Sequence, residues 1–172
     1  MSMFEKTVLK LGNKAFYIFG GIIILLFTII MVFAFSGSGS KTPISCDEAN
    51  SIISKSGYEV SDITNLYDTK NNPQTKVIGV ETDTMHLEFF ELENSNTADN
   101  IYGQFTTLML DYRKGNYYDG TAGYSNYKMY WMSSNNVYYT IIRVENTVLY
   151  AYCDEDCKDS LFKILTDMGY ES

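Results

Sequence analysis

Three cysteines offer the most reactive chemistry in this chain: Cys46, Cys153 and Cys157. Cys153 and Cys157 stand four residues apart at the start of the last predicted helix, where the helix dipole favours a thiolate. Their spacing is C-x-x-x-C, which differs from the C-x-x-C of dithiol oxidoreductases. Three thiols allow one intramolecular bridge and one leftover. A Cys46–Cys157 bridge would clamp the two ends of the globular part and, in the chain-entropy model, would contribute roughly 4–5 kcal/mol. A Cys153–Cys157 bridge would close only a short ring. With His86 the single histidine, the thiols do not complete a zinc set, so no metal is expected.

Arg143 sits among apolar neighbours on a predicted strand, sharing a face with Tyr139 and Ile141. Two roles suit it: a cross-strand ion pair or cation–π contact, or a guanidinium that receives a carboxylate or phosphate. Tyr117, Tyr118, Tyr124, Tyr127, Tyr130 and Trp131 cluster amid Gly, Ser and Asn, a composition of rigid anchors among adaptable polar groups that suits binding loops. Alternation would also bury about half of such rings on a strand. The run Asp154-Glu155-Asp156 lacks the spacing of a calcium loop and complements the start of a helix. No nucleophile elbow, phosphate-binding loop or dinucleotide fingerprint occurs. One histidine leaves base-assisted nucleophilic chemistry little to use. No catalytic residue and no cofactor is therefore expected.

The elements that position these residues begin with a membrane anchor. From Phe16 to Phe35 twenty residues carry no charge, enough to span about 30 Å of hydrocarbon as a helix. Lys6, Lys10 and Lys14 precede the run, which predicts residues 1–15 as a cytoplasmic tail and places the chain after Ser36 outside. A cleaved signal peptide, with Ala34-Phe35-Ser36 as its cleavage site, is the rival reading, although its apolar core would be unusually long. Residues 36–43 read as a Gly/Ser linker to residues 44–172, and its five residues 36–40 would hold the domain about 12 Å from the bilayer. Residues 1–40 carry +2 and residues 41–172 carry −10. So acidic a domain repels phosphate backbones, which excludes nucleic acid as an expected partner.

In residues 44–172 a helix over Cys46–Ser56 is predicted from the capping box Ser45/Glu48 and its stop at Gly57-Tyr58. Asn71-Asn72-Pro73 is a turn, followed by strands over Lys76–Thr82 and Met85–Leu92. A second helix is predicted over Ala98–Lys114, capped by Asn96 or Thr97 and burying Ala98, Ile101, Phe105, Leu108 and Tyr112. Residues 115–126 read as a Gly/Tyr-rich loop. Strands over 127–132, 137–144 and 147–153 form a meander before a last helix over 155–168. The order α-β-β-α-β-β-β-α, with about five strands, predicts an α+β two-layer sandwich of antiparallel sheet and helices.

Several segments carry a resemblance: Gly57-Tyr58, Leu87-Glu88-Phe89-Phe90, Asn126-Tyr127-Lys128-Met129-Tyr130, Arg143 to Tyr150 (RVENTVLY) and Met168-Gly169-Tyr170. In this order the chain resembles single-pass, membrane-anchored extracytoplasmic α+β proteins of low-GC Gram-positive bacteria. The resemblance implies fold and location and supplies no catalytic residues. The expectation is a non-enzymatic domain tethered through residues 16–35, binding a protein or cell-envelope ligand through the Tyr/Gly segment and Arg143. The alternatives are a thiol-based redox protein using Cys153 and Cys157, and a structural subunit of a membrane complex.

Overall fold

A computed structural model describes residues 39–67 and 74–171. The predicted tail, the span 16–35 and the turn at 71–73 lie outside the described residues. Among the described residues no helix is long and apolar enough to cross a membrane. Residues 40–172 form one compact unit.

The chain runs α1 (Cys46–Lys55), β1 (Ser61–Asp62), a 3-10 turn (Thr64–Leu66), β2 (Gln74–Glu81), β3 (Met85–Leu92), α2 (Ser95–Asp111), β4 (Tyr117–Tyr124), β5 (Tyr127–Ser134), β6 (Val137–Val144), β7 (Thr147–Asp154), a second 3-10 turn (Glu155–Cys157) and α3 (Lys158–Asp167). The seven strands make one antiparallel sheet in the order β1-β2-β3-β7-β6-β5-β4. The α+β class therefore stands, with seven strands in place of about five. Residues 115–126, expected as a loop, contain β4.

The two-layer expectation is corrected to three layers. Along β3 the alternation that points Leu87 and Phe89 one way points Phe90 and Leu92 the other, and all four are buried. Leu87 and Phe89 join α1 and α3 through Ala49, Ile53, Leu161 and Leu165. Phe90 and Leu92 join α2 through Ala98, Ile101 and Met109. A sheet apolar on both faces needs a cover on each.

Helix ends follow local chemistry. The Ser45 side chain accepts the Glu48 amide, while Glu48 accepts the Ser45 amide at 2.9 Å, a reciprocal box. Helix α2 starts three residues earlier than predicted because the Asn94 side chain accepts the Thr97 amide. Its buried stripe passes through Met109; Leu108 and Tyr112 are exposed. Helices α1 and α3 close alike. Gly57 (φ +93°) and Gly169 (φ +74°) adopt the left-handed conformation, and the amides of Tyr58 and Tyr170 return to the carbonyls of Ile53 and Leu165.

Candidate functional site

Among the described residues, two surfaces at opposite ends of the sheet gather side chains that could meet another molecule. The first is the edge strand β4. Gly120 lies opposite Trp131 of β5. A Cβ at Gly120 would come 2.7 Å from the indole, so the glycine is what lets the ring lie across the strand. Tyr117, Tyr118 and Tyr124 are 42 %, 75 % and 58 % exposed. The one acid of β4, Asp119, is held by Arg113 and accepts the Tyr130 hydroxyl at 3.0 Å. The Arg113 guanidinium sits 4.8 Å from the centre of the Tyr117 ring.

Strands β4 and β5 are joined through two residues, with Tyr124 opposite Tyr127. In such a hairpin the flanking pair exchanges hydrogen bonds and the pattern alternates from there. The N–H and C=O groups of Tyr117, Asp119, Thr121 and Gly123 therefore point away from β5, and among the described residues no strand lies beyond β4 in the sheet. The register is unbroken over eight residue pairs. The strand has no proline, lysine or bulge, the usual protections of an edge.

Tyr127 and Arg143 do not belong to this surface. Tyr127 is buried in the α1/α3 core, with the Lys41 ammonium 5.0 Å from its ring. Arg143 is buried beneath the start of α2. Its Nη1 donates to the Asn126 carbonyl at 3.3 Å, its Nη2 to that of Ser95 at 3.5 Å, and its Nε faces Asp99 at 3.6 Å. Asp99 lies on α2 and not on a neighbouring strand, so the cross-strand pair expected from the sequence is replaced by a pair with the covering helix.

All three cysteines are free thiols. The Cys46 thiol points at the carbonyls of Lys76 and Phe89. Cys153 lies opposite Met85, four residues from Phe89 along β3 and so about 13 Å away. A bridge from Cys46 to Cys153, or to Cys157 beside it, would require the backbone to move; the expected clamp is absent. Burial, and then the nearby Cys157, push the Cys153 thiol up to about 12. Such a thiol stays protonated at neutral pH and is a poor nucleophile. Lys158, next to Cys157, opposes this only weakly and lies 4.6 Å from the centre of the Tyr138 ring.

The second surface lies at the opposite end of the sheet, on the face that carries α2. A groove of about 520 Å³ opens between the segment preceding β2 and the β2–β3 hairpin. Ile63 and Leu66 supply apolar wall, and Glu59, Glu81, His86 and Glu88 supply its ionisable groups. His86 Nδ1 contacts Glu81, and its Nε2 lies 3.2 Å from Glu88. The ring is stacked 4.8 Å from Tyr152, which adjoins Tyr139, which in turn stacks on Tyr112. The hydrogen bond to Glu88 raises the His86 pKa, with burial opposing and Glu81 assisting. Burial and then the hydrogen bond to Glu88 raise Tyr67 above the usual phenol range. Sequence spacing does not bring this group together, since Glu59, His86 and Tyr152 lie far apart along the chain.

No family model matches the chain, and no curated protein matches it. Among solved structures, a GTP binding regulator from Thermotoga maritima matches over 77 % of this chain and 94 % of its own, with 14 % identity and a TM-score of 0.48. The extracellular domain of PknH from Mycobacterium tuberculosis matches over 74 % of this chain and 93 % of its own, with 10 % identity and a TM-score of 0.35. At these identities and scores neither likeness bears on what this chain binds.

Proposed function

We propose that this chain is a membrane-tethered, extracytoplasmic binding domain that takes an extended segment of a partner protein as an eighth strand alongside β4. The observation that carries the reading is the unprotected edge. Eight residues in unbroken register leave their outward N–H and C=O groups without a strand partner among the described residues, beside the exposed Tyr117, Tyr118 and Tyr124. Strand addition draws affinity from main-chain hydrogen bonds and specificity from alternate side chains. Tyrosines give large contact area at small entropic cost. Asp119, already paired with Arg113, adds no uncompensated charge to the edge. The anchor at residues 16–35 and the outward location rest on the apolar run and its lysine asymmetry.

Site-specific photo-crosslinking in intact cells tests the proposal. A benzophenone at Tyr118 or Tyr124 should yield a discrete adduct. The same probe at Ser54, exposed on α1, should yield none. Equal adducts from all three positions, or none from β4, would contradict it.

A further inference from the structure

The groove at the other end of the sheet presents carboxylates with no fixed cation. Among the described residues, no lysine or arginine pairs with Glu59, Glu81 or Glu88, while the recorded Lys and Arg ion pairs are made elsewhere. Glu88 retains only 9 % of its surface. A carboxylate so buried is costly without a charge partner. The partner it has is His86, which can lose its charge near neutral pH. With imidazole neutral, the groove holds three carboxylates and no cation. Beside them, Ile63 and Leu66 offer apolar wall to an aliphatic chain. The volume falls within the range of small-molecule sites.

We propose that this groove binds an ammonium or guanidinium group carried on an aliphatic stem, such as a lysine or arginine side chain, and that the bound cation takes the place of the His86 imidazolium at Glu88 and Glu81. The stem lies along Ile63 and Leu66 and the charged head meets the carboxylates. A compact metal ion is the poorer fit. Both imidazole nitrogens are directed at carboxylates, and no metal-holding group of His, Cys, Asp or Glu occurs among the described residues. The proposal does not depend on the β4 reading, which concerns the opposite edge of the sheet.

Binding is then linked to one proton. The groups facing His86 are Glu81 from β2, Glu88 on its own strand, and Tyr150 and Tyr152 from β7, while Tyr67, after the first 3-10 turn, reaches Glu88. Glu59 completes the groove. The three tyrosines are raised by burial and stay neutral through the range in which His86 titrates. Below the His86 midpoint the imidazolium occupies the carboxylates and the ligand must displace a proton. Affinity therefore rises with pH, by up to about tenfold per unit, until His86 is neutral. Reciprocally, the ligand lowers the His86 midpoint.

His86 is the single histidine, so its imidazole resonance identifies itself. The experiment titrates the full-length chain in detergent micelles, carrying 13C-labelled histidine, between pH 5 and 9. It is run alone, with Nα-acetyl-lysine amide and with the neutral analogue Nα-acetyl-norleucine amide. The expected result is a lower His86 midpoint with the lysine probe and no change with norleucine. The lysine affinity should climb by at least tenfold from pH 5.5 to 8. Glu88→Gln should abolish both effects while the amide spectrum keeps its dispersion. An unchanged midpoint at saturating lysine probe overturns the proposal, as does an equal response to both probes, which would mean an apolar groove only.

Discussion

Replacing Tyr170 with alanine is expected to lower the unfolding free energy by about 3–5 kcal/mol, the range for truncating a buried aromatic. Tyr170 is 1 % exposed and stacks on Phe89 with ring centres 6.3 Å apart. Its hydroxyl lies 2.9 Å from Thr147 Oγ1 and accepts the Ile44 amide at 3.4 Å. One side chain thus ties the end of α3 to β3, to β7 and to the segment entering α1. Tyr170→Phe keeps the ring and should cost about 1–2 kcal/mol, because the loss is confined to hydrogen bonds. Urea denaturation followed by the fluorescence of Trp131, the single tryptophan, measures both. Costs below about 1 kcal/mol for both variants would show that the Gly-Tyr ending does not hold the layers together.

The thiols should separate into two classes. Cys157 is half-buried and Cys46 and Cys153 are buried. Burial pushes the Cys46 thiol, like that of Cys153, up to about 12. Alkylation proceeds through the thiolate, so a rise from the ordinary value near 8.5 slows labelling by roughly three thousandfold before access is considered. One alkyl group on the native chain, at Cys157, and three after unfolding without reductant is the expected mass-spectrometric result. Rapid native labelling of Cys153 would revive the dithiol reading, and a reductant-sensitive mass would contradict free thiols.

Much of the scaffold was legible because its signals are local. The alternation over Met85–Phe89 sets one strand, and the turns on either side set Val137–Val144. The Ser45/Glu48 pair and the Gly-Tyr endings set helix ends, and the order of elements sets the α+β class. The failures share a physical origin: each depended on a neighbour distant in sequence. Gly120 and Gly123 read as loop residues, yet Gly120 belongs to a strand because Trp131 crosses it. Phe90 and Leu92 were visible on the second face of β3, but spacing alone did not show that α2 would cover them. Leu108 and Met109 differ by one position in the helical stripe, and packing against the sheet chose Met109. Tyr127 fell inside because alternation turns it toward α1 and α3, while Tyr117, Tyr118 and Tyr124 stay at the edge. The His86 groove gathers Glu59, His86 and Tyr152 through strand pairing that no motif records.

The edge of β4 as the binding surface is tested most directly by Thr121→Pro, measured as the yield of partner adduct from a benzophenone at Tyr118. The Thr121 N–H points away from β5, so proline there removes a donor from the free edge and spares the β4–β5 ladder. The account predicts loss of the adduct while the urea midpoint changes little. An undiminished adduct on a folded Thr121→Pro chain would contradict strand addition at β4.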